Sequence, residues 1–188
     1  MPSTHPGGPR RNLPLTASRP SLLPNGSDSE LRALITDMMS LVSTALEVRN
    51  RFGALIGVSG TQYLILNAIA RLGTRQPDLG INALAGYLRL SGTFVTNEVN
   101  RLVAAGLATK AVNPKDRRRV VLGVTDEAVR RLAELTRIQS PANDTFFDLT
   151  AYEFRMLRTL LARLAAGGDR TLLLIEHLAP DGTLDSLR

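Results

Sequence analysis

The 188-residue sequence contains no cysteine. This absence excludes disulfide bonds, thiolate metal sites and redox sensing by thiols. Histidine is scarce, since His5 and His177 are the only two, and the chain has no His-Glu-x-x-His pattern, glycine-rich phosphate loop or serine elbow. We therefore predict a protein that is not an enzyme and that uses no cofactor and no metal. An enzyme built on His177 is the alternative, although the sequence supplies that residue with no evident catalytic partner.

Aromatic residues and long apolar runs are also missing. Aromatics make up 4% of the chain, too few for a surface that binds RNA or single-stranded DNA by stacking bases. No apolar run approaches the roughly 18–20 residues that a membrane-spanning helix needs. Prolines occupy the N-terminal stretch in which a signal peptide would carry its apolar core. These features predict a cytoplasmic protein without membrane contact.

Positive charge is what the sequence has in excess. The formal net charge is +6 and the isoelectric point is about 10.7. Arginine supplies nearly all of this charge, because Lys110 and Lys115 are the only lysines. A basic chain favours a polyanionic partner, although the charge does not say which one. Arginine binds phosphates and guanine edges through paired hydrogen bonds, which is compatible with DNA.

Outside its centre, the chain reads as a tail and two helical regions. Residues 1–26 are rich in Pro, Gly, Ser and Thr and contain no acid, which predicts a disordered basic tail or an arm that contacts phosphates. Residues 27–58 predict a long helix, started by a capping box of Ser27 and Glu30. Its apolar stripe is wide enough to need either the C-terminal helices or a second subunit as cover. Residues 126–188 predict further helices, broken at Pro141 and again at Gly167 and Gly168.

Residues 59–125 carry the most specific pattern. A capping box of Ser59 and Gln62 starts a helix that ends at Gly73. A short helix at 82–88, with Asn82 near its N-cap, is followed by a tight turn at 89–91 and a second helix at 92–105. Apolar residues predict the buried face of that second helix: Phe94, Val95, Val99, Leu102 and Val103. Gly106 ends it.

The other face of the second helix is polar. Thr93, Thr96, Asn97 and Asn100 are short polar residues in the first turns of that helix, which suits contact with base edges in a major groove. We expect Ser91 and Arg101 to contact phosphate or to brace the helix. The predicted unit is therefore a helix-turn-helix that reads DNA.

Two β-like runs, at 107–112 and 120–124, flank a basic tip at 113–119. The tip contains Lys115, Arg117, Arg118 and Arg119. An ordinary solvated loop is one interpretation. Because the tip directly follows a helix-turn-helix, we favour a wing whose arginine enters a minor groove. Asp116 is expected to brace a neighbouring arginine rather than to act as a catalytic acid. Helix, turn, helix and hairpin together predict a mainly α fold of the α+β winged-helix type.

These motifs resemble the MarR family of bacterial winged-helix regulators. The segments that carry the resemblance are Gln62-Tyr63-Leu64-Ile65-Leu66, Leu84-Ala85, Leu90-Ser91, Val95-Thr96, Asn100-Arg101-Leu102, Gly106-Leu107 and Asn113-Pro114-Lys115-Asp116-Arg117-Arg118, followed by Val120 and Thr125. The last long segment is similar to the family's wing signature. Asn97 and Glu98 lie where a basic and an apolar residue are common in the family, Asn100 replaces a frequent Asp, and Arg119 replaces a small residue.

The resemblance implies a homodimer that binds double-stranded DNA at a near-palindromic operator. It implies dimerisation helices at 27–58 and 126–188, on either side of a DNA-binding lobe at 59–125. It further implies a repressor released by a small-molecule effector, often an aromatic acid, a phenolic or an acyl thioester. Arg49 and Arg51, near where the family's pocket opens, are candidate effector ligands, unless they are solvated or paired with acids. The alternative function is a chromatin-type protein that binds DNA without reading sequence or sensing a ligand.

Overall fold

The computed structural model describes residues 13–113, 116, 118–180 and 182. In that part of the chain, two 3-10 turns (Pro20–Leu22 and Pro24–Gly26) precede helices α1 (Ser29–Leu55), α2 (Gly60–Gly73), α3 (Ile81–Leu88) and α4 (Gly92–Ala104), strands β1 (Ala108–Val112) and β2 (Val120–Val124), and helices α5 (Asp126–Phe146) and α6 (Ala151–Leu178). The chain divides into two compact units, Met1–Leu135 and Thr136–Arg188. The predicted mainly α, winged-helix fold is confirmed.

Helix α2 is the centre of the first unit. It packs against α1, α3, α4 and β2. Its residues Ile65, Leu66 and Ile69 are almost completely buried, and their spacing places them on one side of the helix. Burying each such side chain stabilises the fold by roughly 1.5–3 kcal/mol. Side chains from α3, α4 and the hairpin complete this core: Leu84, Val95, Val99, Leu102, Leu107 and Leu122.

Local capping determines where the helices of this unit begin. The backbone N–H of Gln62 donates to Ser59 Oγ at 3.1 Å, and the N–H of Ser59 donates to Gln62 Oε1 at 3.0 Å. This is the reciprocal capping box that the sequence predicts. Ser91 caps α4 by accepting from the N–H of Phe94 at 3.2 Å. Gly106 follows α4 with φ +70°, a conformation that glycine adopts with little strain.

Helices α1 and α2 meet at a corner closed by backbone contact. The carbonyl of Gly53 accepts hydrogen bonds from the N–H groups of Ile56 and Val58, at 3.1 and 3.0 Å. A Cβ atom on Gly53 would lie 2.8 Å from the carbonyl carbon of Ser59, and one on Gly60 would lie 2.9 Å from Asn50 Cα. Both distances are shorter than real Cβ atoms tolerate, so only glycine fits at these two positions.

Strands β1 and β2 form an antiparallel hairpin in which Ala108 faces Val124 and Val112 faces Val120. The hairpin is tied to the rest of the unit at its base. The N–H of Leu122 donates to the carbonyl of Leu79, in the loop before α3, at 2.9 Å. Thr125 Oγ1 donates to the carbonyl of Gly106 at 2.8 Å. Both ends of β2 are therefore connected to the helices.

The start of α1 differs from the prediction. The capping box of Ser27 and Glu30 is absent, and α1 begins at Ser29 after Asp28. The Asp28 carboxylate instead accepts the N–H and hydroxyl of Thr16, at 2.9 and 2.7 Å, and pairs with Arg32 at 2.9 Å. These bonds hold residues 13–28, the N-terminal arm, in turns where composition alone predicts disorder. Hydrogen bonds from Arg32 and then Thr16 keep the pKa of Asp28 far below its usual range.

Four helix predictions are corrected. Helix α5 continues through Pro141 to Phe146, and α6 continues through Gly167 and Gly168 to Leu178. A proline removes one backbone hydrogen bond and a glycine costs about 1 kcal/mol in a helix, but neither forbids the helix when its neighbours favour it. Asn82 lies inside α3, whose N-cap is Gly80. Phe94 and Val103, predicted to be buried, are 41% and 37% exposed, whereas Glu98 is buried.

The second unit consists of the end of α5 and helix α6. A capping box of Thr150 and Glu153 starts α6, as the sequence predicts. None of the residues of α6 is buried, although many are apolar, including Phe154, Leu161, Leu164 and Ile175. Within the described residues, no single helix has the length and apolar composition needed to cross a membrane; α1 and α2 meet that criterion only as a pair, bent by 80°.

Candidate DNA interface

The exposed face of α4 presents the polar side chains that the sequence singles out. Thr93, Asn97, Asn100 and Arg101 are all exposed and lie along one side of the helix. Ser91 is exposed at the N-cap. Thr96 is partly buried, and its hydroxyl donates to the carbonyl of Gly92 at 2.8 Å. The donor of Thr96 is therefore already used within the helix, so its methyl group and oxygen lone pairs are what it offers to a base.

A residue that the sequence reasoning missed joins this face. Lys110 Nζ, on β1, donates to Asn100 Oδ1 at 3.0 Å. The bond orients the Asn100 amide and adds a positive charge beside the polar face of α4. The register of the hairpin places Lys110 opposite Leu122. The available sequence signal was that Lys110 is one of only two lysines, but its partner is ten residues away and not deducible from periodicity.

The wing carries the expected carboxylate brace. Asp116 Oδ1 accepts from the N–H of Arg118 at 3.1 Å, and Asp116 Oδ2 lies 3.3 Å from Arg119 Nε. The N–H of Arg119 donates to the carbonyl of Asp116, and its own carbonyl accepts from the N–H of Asn113, both at 2.9 Å. Arg118 and Arg119 are exposed. Lys115 and Arg117, the other two bases predicted for the tip, lie outside the described residues.

A buried carboxylate lies behind the exposed face of α4. Glu98 is 6% exposed, and its two oxygens accept from Gln62 Nε2 at 3.1 Å and from Arg101 Nη1 at 2.8 Å. A buried charge is destabilising unless it is paired and hydrogen-bonded. Both oxygens of Glu98 have such a partner, which explains how the core of the lobe accommodates it.

The two candidate effector residues have different surroundings. Arg51 Nε donates to Glu47 Oε1 at 2.9 Å, and its side chain is 77% exposed. Arg49 is partly buried, and among the described residues its Nε has no hydrogen-bond acceptor although the atom is shielded from solvent. Nowhere in the described part of the chain do three acidic or histidine side chains group as metal ligands. His177 is exposed in the last turn of α6, and His5 lies outside the described residues.

Comparison with known proteins identifies the lobe. Residues 56–119 match the model of the MarR family. Among curated protein sequences, none shows significant similarity to the chain. Three similar solved structures are a MarR transcriptional regulator from Methanosarcina mazei Go1 (TM-score 0.60, 16% identity, 74% of this chain and 99% of that one), the transcriptional regulator BldR from Sulfolobus solfataricus (0.59, 21%, 73% and 96%) and a MarR mutant from E. coli complexed with operator DNA (0.59, 20%, 72% and 95%). The structural likeness concerns the fold, and the family match covers the helix-turn-helix and most of the wing. Together they place the chain in the MarR family of winged-helix regulators.

Proposed function

We propose that this protein is a homodimeric repressor that binds a near-palindromic operator and is released from it by a small-molecule effector. Proteins of the MarR family are DNA-binding transcriptional regulators and not enzymes. The observation that carries the DNA-binding part is the pairing, in one lobe, of an exposed polar helix face with a braced basic wing. Phosphate contacts from the wing would position the lobe, and side chains of α4 would read base edges.

The wing is tested by Arg118→Ala. Binding sites are first selected from randomised duplexes, and affinity is then measured by fluorescence anisotropy at several salt concentrations. The expected result is a loss of tenfold or more, with a salt slope that is lower by about 0.9 for one lost phosphate contact. Arg75→Ala, which removes one exposed arginine from the loop before α3, is the matched control and should change neither value. An unchanged affinity for Arg118→Ala would exclude the wing from the interface.

Sequence reading is tested against the chromatin-type alternative. A tenfold excess of random duplex is added to the complex with the selected site. A sequence-specific regulator keeps most of its labelled operator, because specific sites are bound about 10³–10⁷ times more tightly than random ones. Equal competition by random DNA would instead support a protein that reads no sequence.

Dimerisation is supported by apolar surface that the single chain leaves uncovered. Along one side of α1 the exposed fractions reach 43–58% at Leu34, Ile35, Met39, Val42 and Leu46. Such an apolar stripe on a soluble chain is expected to meet another surface. Val42→Asp should shift sedimentation from dimer to monomer and abolish tight operator binding. Ser40→Asp, on the opposite side of α1, should leave the dimer intact; loss of the dimer in both variants would point to unfolding.

An effector site beside Arg49 is supported by its shielded, unpaired Nε. An anionic ligand would supply the acceptor that this atom lacks. Thermal-shift measurements with aromatic acids and their coenzyme A thioesters test the idea, because a ligand that binds only the folded state raises the unfolding midpoint. Arg49→Ala should remove the shift more completely than Arg51→Ala, since Arg51 already has Glu47 as its partner. A shift that persists in both variants would place the ligand elsewhere.

A further inference from the structure

The starting point is the carboxylate of Glu98, which lies on the inner side of the helix that faces DNA in the proposed function. Its neighbours along the buried side of α4 are Val95, Val99 and Leu102, all with no exposed surface. A leucine or valine at position 98 would fit such surroundings without needing hydrogen-bond partners. Replacing a buried ion pair by an apolar residue of similar volume is often neutral or stabilising. Stability is therefore a weak explanation for a glutamate at this position.

The two hydrogen bonds of Glu98 connect two parts of the lobe. One oxygen accepts from Gln62 Nε2, 36 positions earlier in the chain, and the other accepts from Arg101 Nη1. Gln62 is itself held, because its Oε1 accepts from the N–H of Ser59 in the capping box of α2. A continuous series of hydrogen bonds thus runs from the first turn of α2, through the core, to the exposed face of α4.

Arg101 is the outer end of this series. Its side chain is 69% exposed, whereas that of Glu98 is 8% exposed. One nitrogen of the guanidinium is bound to Glu98, so the group is held on the side of α4 that also carries Asn97 and Asn100. A guanidinium has five donors in a planar arrangement, which leaves others for a second oxyanion. An arginine already held in place loses less conformational entropy when it binds.

We propose that Glu98 and Gln62 are positioning residues that hold the Arg101 guanidinium ready for a DNA phosphate. This inference rests on the proposed DNA-binding function and adds two buried residues to the determinants of operator affinity. Gln62 positions the carboxylate, the carboxylate positions the guanidinium, and the guanidinium contacts the phosphate. The contribution of Glu98 to binding therefore exists only when Arg101 is present.

A double-mutant cycle separates this role from a structural one. The proteins are the full-length wild type, Glu98→Leu, Arg101→Ala and the double variant, each titrated with selected operator over a range of salt. Arg101→Ala should weaken binding and lower the salt slope by about 0.9, as expected for one phosphate contact. Glu98→Leu should weaken binding roughly threefold to tenfold in the wild-type background, which is a typical coupling for residues in contact. In the Arg101→Ala background, Glu98→Leu should cause no further loss.

Thermal unfolding of the same four proteins supplies the structural control. Glu98→Leu should unfold at the wild-type temperature or above it, since the apolar side chain suits the surrounding core. If Glu98→Leu is less stable, Glu98→Gln, which keeps the side-chain volume but not the charge, replaces it in the cycle. Gln62→Met should behave like Glu98→Leu in both backgrounds, because it removes the amide that holds the carboxylate.

The outcomes are distinct. An equal loss from Glu98→Leu in both backgrounds would overturn the proposal, because the effect would then come from the helix as a whole. No loss in the wild-type background would also overturn it. Either result leaves the proposed function standing provided that Arg118→Ala still weakens operator binding. If the wild-type protein binds selected and random DNA equally, the proposed function itself fails.

Discussion

Gly53→Ala is expected to open the corner between α1 and α2. In an ordinary helix interior, alanine is more favourable than glycine by about 1 kcal/mol. At position 53 the added Cβ would lie 2.8 Å from both the carbonyl carbon and the carbonyl oxygen of Ser59. These are backbone atoms, so they cannot move aside as a side chain would. Overpacking of this kind typically destabilises by about 1–3 kcal/mol.

The net effect of Gly53→Ala follows from the two opposing terms. We expect a loss of about 1–2 kcal/mol in the free energy of unfolding, because the clash exceeds the gain in helix propensity. For a protein of this length, 1 kcal/mol corresponds to roughly 2–4 °C. The unfolding midpoint should therefore fall by roughly 2–8 °C in calorimetry. Urea titration followed by circular dichroism gives the free energy independently.

Gly86→Ala is the matched control. Gly86 lies inside α3, and a Cβ there would have no described atom within 4 Å. The same chemical change should therefore stabilise the protein, by about 0.5–1 kcal/mol. Opposite signs for the two variants are the test. A rise in stability for both would show that the corner is not closed by backbone contact, and the argument from Gly53 would be wrong.

Two further predictions concern the side-chain carboxylates. Asp28→Ala should speed hydrogen exchange at the Thr16 amide in mass spectrometry, because its acceptor is lost, whereas Asp37→Ala should not; equal protection in both would show that the N-terminal arm is held by other contacts. Thr150→Ala should lower stability by about 1 kcal/mol through loss of the α6 cap. Thr150 lowers the pKa of Glu153 below its ordinary value, so the contribution of this pair is present above that ordinary value and is lost as the pH falls through the lowered pKa. The difference between wild type and Thr150→Ala should narrow in acid; a gap that stays constant with pH would contradict the assignment.

Local interactions made much of the fold predictable. The capping boxes at Ser59 and Thr150, the N-cap at Ser91 and the glycine after α4 all involve residues within three or four positions of each other. Such pairs are visible in a sequence because the helix geometry fixes which positions can meet. The family resemblance, carried by the wing and the helix-turn-helix, was confirmed for the same reason: these motifs are contiguous.

The predictions that failed, and the contacts that were missed, depend on distant partners or on competing penalties. Asp28 binds Thr16 across twelve positions, and Glu98 binds Gln62 across 36. No periodicity announces either pair, so the N-terminal arm and the buried carboxylate were not foreseen. Pro141 was read as a helix break from its local penalty alone. The continuous α5 shows that the helix propensity of the surrounding residues outweighed that penalty.

The hydrogen bond from Leu122 to Leu79 has a consequence for the shape of DNA that this lobe accepts. It attaches the base of the hairpin to the loop that leads into α3, while the bond from Thr125 to Gly106 attaches the other end of β2 to the exit of α4. The base of the wing and the recognition helix therefore form one rigid template of fixed spacing. A duplex whose groove widths do not match that spacing must itself deform, and the energy of that deformation depends on base steps that no side chain touches. Part of the operator preference of this protein would then be written in the stiffness of the DNA.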